Sequence, residues 1–203
     1  MRAKGRRRLR VLLLGIAITS LGIGGYFLSK SSLFDVDEIL VDGISGTLEE
    51  EVLNAADITK GKPLLEVDTS TSAERVERIP WIKEARISRS FSGTVTIRVS
   101  VRDAVAAFQY ENGWIIVDID GRVLEKVETL PYSLLPIEGE IEDLSEGEWV
   151  SEQVIPSIEV AATISSELRG DVSSIKGDGQ IELLLFGGGK VLFGDTTDID
   201  WVN

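Results

Sequence analysis

The N-terminal charge pattern constrains what this chain can fold into more than any other feature. A run of basic residues is followed directly by a run of uncharged, mostly apolar residues. Residues 1–10 hold six basic side chains and no carboxylate, whereas residues 11–28 (VLLLGIAITSLGIGGYFL) hold no charge. A helix over residues 11–28 would be about 27 Å long, close to the roughly 30 Å hydrocarbon core of a bilayer. We therefore predict a transmembrane helix there, with its apolar anchor residues at Val11, Leu12, Leu13, Leu14, Ile16, Ile18, Leu21, Ile23, Phe27 and Leu28.

The basic tail predicts the orientation of that helix. Lysine and arginine are retained on the cytoplasmic side, so Arg6, Arg7, Arg8 and Arg10 would hold the N-terminus inside and place the bulk of the chain outside the plasma (inner) membrane. A cleaved secretory signal shares the basic start, but its apolar region is about 7 to 15 residues long and ends at a small-residue site. Here the run is longer and continues into Ser29-Lys30-Ser31-Ser32-Leu33-Phe34, which favours an uncleaved anchor.

Composition narrows the functions open to residues 29–203. They carry 15 of the 21 basic residues and all 34 acidic ones. So acidic a region does not bind nucleic acid or an anionic lipid face by charge, which makes proteins the more plausible partners. The chain has no Cys and no His, which excludes disulfides, His-dependent nucleophile systems and His-ligated zinc. We predict a non-enzymatic binding protein with no catalytic residue, cofactor or metal site.

The first external segment follows the pattern β-α-α-β-β. Residues 34–41 predict a strand, a Thr47–Glu50 capping box a helix, and Asp68 or Thr71 a cap for a second helix that Pro80 ends. Two strands follow, and in the second Val95, Ile97, Val99 and Val101 alternate with polar residues. Two helices would then cover one face of a three-stranded sheet.

The second external segment is richer in strands. Residues 105–124 predict a β-meander, and a longer connection carries Pro131, Pro136 and Gly139. Residues 151–168 have helical periodicity, although Pro156 suggests a start near Ile155, and Gly170 suggests a C-cap. Two strands at 181–186 and 190–193, joined by three glycines, end the pattern. Asp118-Ile119-Asp120-Gly121 could begin a calcium loop, but a plain turn is favoured because the later ligands are absent.

The order of these elements and several motifs together resemble the FtsQ/DivIB family of bacterial cell-division proteins. The matching stretches are Phe34-Asp35-Val36 entering Val41-Asp42-Gly43, residues 61–68 (GKPLLEVD), residues 79–87 (IPWIKEARI) and residues 117–124 (VDIDGRVL). The resemblance implies an α+β architecture: a cytoplasmic tail (1–10), a transmembrane helix (11–28), a POTRA domain of the FtsQ type (33–103) and a mostly antiparallel β domain with one helix (104–203).

The chain departs from the family pattern in three places. Phe91-Ser92 stands where Trp-Pro is usual, and residues 101–106 keep only Arg102 and Ala106 of a Glu-Arg-x-Pro-x-Ala run. The family also continues beyond this region with a helix and a late strand used for partner binding. We therefore expect the β domain to be incomplete or this partner surface to be missing.

The resemblance implies a septal scaffold of the divisome. Its partners would be FtsB/DivIC-like and FtsL-like coiled-coil membrane proteins, with the septal peptidoglycan synthase complex downstream. An edge strand exposes unpaired backbone groups, so we predict that Val191, Leu192 and Phe193 form an edge to which a partner strand pairs. Two alternatives stay open: a POTRA protein of polypeptide transport or outer-membrane assembly, and a membrane-tethered, carboxylate-dependent cell-wall hydrolase.

Overall fold

The computed structural model describes residues 13–24, 35–111, 113–139, 141–178 and 180–195. The chain packs into two compact units. The first unit consists of residues up to Val76 together with Glu84–Val99, and the second consists of Glu77–Lys83 together with the chain from Ser100 onward. The short stretch Glu77–Lys83 therefore packs with the second unit although it precedes part of the first in sequence.

Residues 13–24 form a helix, α1, whose apolar side chains are exposed. Leu21 is the most exposed of them, at 81%. None of the helices in the described part of the chain is long and apolar enough to cross a membrane. The predicted anchor residues Val11, Leu12, Phe27 and Leu28 and the predicted topology residues Arg6, Arg7, Arg8 and Arg10 lie outside the described residues.

The β-α-α-β-β order predicted for the first external segment is present. Its elements are β1 (Glu38–Asp42), α2 (Thr47–Ala56), α3 (Thr69–Glu77), β2 (Ile82–Arg89) and β3 (Thr94–Val101). The strands form one sheet in the order β1-β3-β2, in which β1 runs parallel to β3 with Glu38 opposite Thr94. The predicted alternation in β3 holds, since Val95, Ile97 and Val99 are buried while Arg98 is exposed.

The two helices of this segment begin differently from each other. The Asp68 carboxylate accepts hydrogen bonds from the Thr71 N–H (3.1 Å) and the Thr71 hydroxyl (2.7 Å), so the predicted Asp68 cap is confirmed. The predicted Thr47–Glu50 capping box is wrong. Gly46 occupies the N-cap of α2 with φ 76° and no side-chain cap, and Thr47 is already helical.

The second unit contains one seven-stranded sheet. Its strands are β4 (Ala104–Tyr110), β5 (Gly113–Asp118), β6 (Val123–Val127), β7 (Leu135–Glu138), β8 (Val172–Asp178), β9 (Gln180–Leu185) and β10 (Lys190–Asp195). The order across the sheet is β10-β9-β8-β7-β4-β5-β6. Helices α4 (Ile155–Thr163) and α5 (Ser166–Arg169) connect β7 to β8. Ile158 of α4 is fully buried in the core that includes Phe108 and Ile175.

Four of the six strand pairs are antiparallel, so the prediction of a mostly antiparallel domain holds, but two features refine the predicted sheet and its one helix. The sheet is mixed, because β7 lies parallel to both β4 and β8. The predicted helix over 151–168 is divided: a 3₁₀ turn covers Glu152–Val154, α4 starts at Ile155, and Ile164 leaves the helix. The Ser165 hydroxyl then accepts the Leu168 N–H and starts α5, with Gly170 as its C-cap. The suggested start near Ile155 and the C-cap at Gly170 are therefore confirmed.

Candidate functional site: the two ends of the seven-stranded sheet

The residues predicted as a partner edge lie in β10, the outermost strand at one end of the seven-stranded sheet. β10 pairs antiparallel with β9, with Val191 opposite Leu183 and Leu192 opposite Glu182. Within the described residues, no strand lies on its other side. The structure therefore places Val191, Leu192 and Phe193 on a free edge; that a partner pairs there stays a prediction.

Apolar side chains on both faces of β10 are accessible. Val191 is 44% exposed and Leu192 is 53% exposed, and successive residues of a strand point to opposite faces. On the face that carries Val191, the opposite residue Leu183 is only 7% exposed. On this face, the side chain of β9 is therefore buried in the core, whereas the neighbouring side chain of β10 is open to solvent.

The hydrogen-bonding phase of the hairpin determines which backbone groups face the free side. The Leu185 N–H donates to the Gly189 carbonyl (2.9 Å), and alternate pairs of an antiparallel ladder exchange bonds. Two residues farther from the turn along each strand, Leu183 and Val191 therefore form the next pair that exchanges backbone hydrogen bonds. Lys190 and Leu192 lie between bonded pairs, so their N–H and C=O groups point away from β9. The edge offers these groups to an added strand.

The other end of the sheet, at β6, is covered. Val123 donates its N–H to the Glu148 carbonyl (2.9 Å) and accepts from the Gly147 N–H (2.8 Å). Farther along the strand, the Glu146 side chain accepts the Lys126 N–H at 3.2 Å. Covered edges do not template the pairing of another chain. Of the two outer strands of this sheet, β10 is therefore the one suited to receive a partner.

A buried ion pair holds the turn beside the covered end. The Arg102 and Asp118 side chains are 9% and 3% exposed and hydrogen-bond directly to each other. Asp118 also accepts the N–H groups of Asp120 (3.1 Å) and Arg122 (2.8 Å), which closes the turn after β5. This arrangement confirms that Asp118–Gly121 is a plain turn, with its first carboxylate already engaged by arginine.

Arg102 and Arg122 share the indole ring of Trp149. Their guanidinium carbons lie 5.4 Å and 5.5 Å from its ring centre, within the range of cation–π attraction. Arg122 donates to the carbonyls of Glu77 and Arg78, both at 3.2 Å. Burial lowers the pKa of Arg122, the Arg102 charge lowers it further, and Asp118 opposes both effects. We call Arg102, Asp118, Arg122 and Trp149 the clasp, because their contacts join the β5–β6 turn to the segment that covers β6.

Sequence reasoning did not find this clasp. Arg102 and Asp118 are sixteen residues apart, a separation at which pairing leaves no local pattern. The one signal was that Arg102 belongs to the few residues retained from the family pattern after β3. Trp81 and Trp114 are both half-buried against the cluster of Ala107, Ile116, Leu124 and Leu134.

The second unit also contains a cavity and several acidic groups. A cavity of about 500 Å³ beside the end of β7 is lined by Glu138, Lys176 and Ser157, among others. No group of three or more metal-ligating side chains gathers within the described residues. The three glycines at 187–189 form the predicted hairpin turn, with Gly188 at φ 79°.

Similarity to known proteins covers both the first external segment and most of the chain. A family model described as "POTRA domain, FtsQ-type" matches residues 34–102. The cell division protein FtsQ of Mycolicibacterium smegmatis is 34% identical over 116 residues, which cover 57% of this chain and 35% of that protein. FtsQ of Corynebacterium glutamicum is 21% identical over 179 residues, covering 88% of this chain and 79% of that protein.

The chain therefore contains a POTRA domain of the FtsQ type and is similar over most of its length to an FtsQ protein. FtsQ of Caulobacter vibrioides is 28% identical over 57% of this chain. The matches to the mycobacterial and Caulobacter relatives span little more than a third of those proteins' lengths. The major extracytoplasmic domain of the trans isomer of DivIB from Geobacillus stearothermophilus aligns with a TM-score of 0.35 and 16% identity, over 46% of this chain and 79% of that chain. So low a TM-score carries no weight for the fold.

Proposed function

We propose that this protein is a non-enzymatic scaffold of the bacterial division septum. It would be anchored by a single transmembrane helix over residues 11–28 with its N-terminus in the cytoplasm, and its external units would bind other membrane-anchored division proteins. The FtsQ-type POTRA match and the similarity to FtsQ proteins support the role in division. The contrast between the free β10 edge and the covered β6 edge carries the proposal that binding is by strand addition.

The anchor is supported by sequence and by the described part of α1. The basic tail and the uncharged run set a membrane orientation. The exposed apolar residues of α1 are Leu13, Leu14, Ile16, Ile18, Leu21 and Ile23, and the rest of the helix carries only glycine, alanine, serine and threonine. A helix without a charged side chain on any face is typical of one buried in protein or lipid. The helix would hold the binding units in the plane of the membrane, where weak contacts gain from a high effective concentration.

The partners that we propose are FtsB/DivIC-like and FtsL-like coiled-coil membrane proteins, with the septal peptidoglycan synthase complex recruited through them. A partner strand would bond to the outward backbone groups of Lys190 and Leu192, and its side chains would pack on Val191 or Leu192, according to the face. The ion pair between Lys190 and Glu182 (3.2 Å) is exposed and sits on the face that carries Leu192.

Depletion and complementation in the native organism test this function. We expect depletion to give filamentous cells and a fluorescently tagged copy to collect at septa. A Leu192→Pro copy should fail to restore division because proline removes the outward N–H, whereas Leu192→Ala keeps that donor and should restore it largely. Normal division after depletion, with no septal signal, would refute the scaffold role. Full complementation by Leu192→Pro would refute strand addition at β10.

A further inference from the structure

Three segments of the first unit meet at the end where the chain enters it. Asp35 forms an isolated bridge with Pro63, and the Val36 N–H donates to the Lys62 carbonyl (2.9 Å). The Asp37 N–H donates to the carbonyl of Gly93 (2.8 Å), in the turn between β2 and β3. The loop at 60–66 and the turn at 90–93 therefore lie directly beside residues 35–37.

Each of these two segments turns a large apolar side chain outward. Phe91 is 81% exposed at the β2–β3 turn, and Leu65 is 58% exposed, although its neighbour Leu64 is 2% exposed. We call Leu65 and Phe91 the apolar tip. Neither contributes to the core of the first unit, so folding of the unit does not account for them.

The backbone beneath the apolar tip is held firmly. The Arg89 guanidinium donates to the carbonyls of Leu64 (3.2 Å) and Val67 (3.1 Å), which ties the loop to the end of β2. Gly93 has φ +86°, and a side chain there would collide with the Asp37 carboxylate. The two apolar residues thus project from a common, well-connected base.

We propose that the apolar tip rests on the surface of the lipid bilayer, with the side chains of Leu65 and Phe91 inserted at the interface. The inference depends on the proposed transmembrane helix. From Leu28 to Asp35 the chain can span at most about 25 Å, at roughly 3.5 Å per residue. The entry end of the first unit is therefore tethered within that distance of the membrane, and the tip lies at that end.

Charge is not what holds this surface to the membrane. Exposed Lys60 and Lys62 flank the apolar tip, but so do the carboxylates of Asp35, Asp37 and Glu66. Attraction to anionic headgroups needs an excess of basic residues, which this end lacks. Apolar insertion of an aromatic and an aliphatic side chain into the interface works on zwitterionic and anionic lipid alike. We therefore expect the contact to be insensitive to lipid charge.

The absence of cysteine from the chain allows a direct test with the full-length protein. Single variants Ser92→Cys and Ser45→Cys carry the same substitution at exposed sites of the first unit. Ser92 is next to the tip, whereas Ser45 lies near Gly43, which contacts Val99 at the opposite end of β3. Each is labelled with an environment-sensitive fluorophore, reconstituted into phosphatidylcholine vesicles and measured with a lipid quencher placed just below the headgroups.

We expect several-fold more quenching at Ser92 than at Ser45. Adding Leu65→Ser and Phe91→Ser to the Ser92→Cys chain should lower its quenching to the Ser45 level, with unchanged circular dichroism. Equal quenching at both sites, in a chain that resists alkaline extraction from the vesicles, would overturn the tip contact and leave the anchor standing. Extraction of the chain at alkaline pH would refute the anchor and this inference together. Quenching that appears only with phosphatidylglycerol would overturn the apolar mode of contact.

Discussion

Replacing Asp118 with alanine should destabilise the second unit by about 4 kcal/mol. The change leaves the buried Arg102 guanidinium with only the half-exposed Asp120 carboxylate at 3.2 Å, and breaking one side of a buried ion pair costs about 3–5 kcal/mol. It also removes the acceptor of two backbone N–H groups, those of Asp120 and Arg122. Asp118→Asn keeps the Oδ1 acceptor for these two donors but replaces the charged oxygen that faces Arg102 with an amide NH2, so we expect a smaller cost of about 2 kcal/mol.

Urea denaturation of the full chain in non-ionic detergent, followed by tryptophan fluorescence, measures this cost. All four tryptophans (81, 114, 149 and 201) belong to the second unit, so the signal reports that unit. With a slope of about 1.5 kcal/mol per molar urea, the midpoint should fall by about 2.5 M for Asp118→Ala. The matched control is Asp103→Asn, which removes an exposed carboxylate next to Arg102 in sequence and should shift the midpoint by less than about 0.5 M.

A double-mutant cycle separates the ion pair from other losses. Arg102→Met removes the charge whose buried partner Asp118→Asn neutralises, so the double variant should be more stable than the sum of the single effects by about 2 kcal/mol. Additive effects would show that the two side chains do not interact. An Asp118→Ala shift no larger than that of the control would refute the reasoning from burial.

Two other properties of the second unit can be measured independently. Partial burial raises the pKa of Tyr110 to about 12, with Asp143 adding to the effect, so absorbance at 295 nm should show one phenol that titrates near pH 12 and disappears in Tyr110→Phe. Because the pKa of this phenol is higher in the folded than in the unfolded protein, its contribution to stability is complete below pH 10 and should decline as the pH rises toward 12. A titration midpoint near pH 10 would contradict the assigned environment. Gly121→Ala should lower the free energy of unfolding clearly more than Gly188→Ala. Both glycines have positive φ, but only at Gly121 would a Cβ meet Ile155, at 2.5 Å. Equal losses of stability in urea titrations would contradict that crowding.

The elements that could be predicted from sequence are those with one face exposed to solvent and the other buried in the core. β3 alternates between buried valines or isoleucine and polar residues, and its position follows directly from that pattern. β7 was missed because it is four residues long and contains Pro136, which resembles a loop. β8 was missed because Ser173, Ser174 and Lys176 obscure its apolar positions. The mixed character of the sheet depends on these two strands.

Tertiary contacts account for the remaining differences. Apolar spacing continues through Ile164 and Leu168, so periodicity alone predicts one helix, whereas the Ser165 cap divides it. The Arg102–Asp118 pair depends on a fold that brings Arg102 to the turn after β5, which no local pattern encodes. The partner edge at β10 could be proposed from sequence, but the covering of β6 could not. The difference between the two edges is seen only from the backbone hydrogen bonds that Val123 forms in the structure.

Hydrogen exchange at the Leu192 amide tests strand addition at β10 most directly. The full chain is measured in detergent, alone and with the FtsB/DivIC-like protein of the same organism, and the Leu192 N–H is compared with that of Val191. Val191 should be protected in both states because its N–H faces β9, whereas Leu192 should exchange fast alone and slowly in the complex. Slow exchange at Leu192 only with partner is the result that we expect. Fast exchange at Leu192 in a fully formed complex would contradict the claim that β10 receives a partner strand.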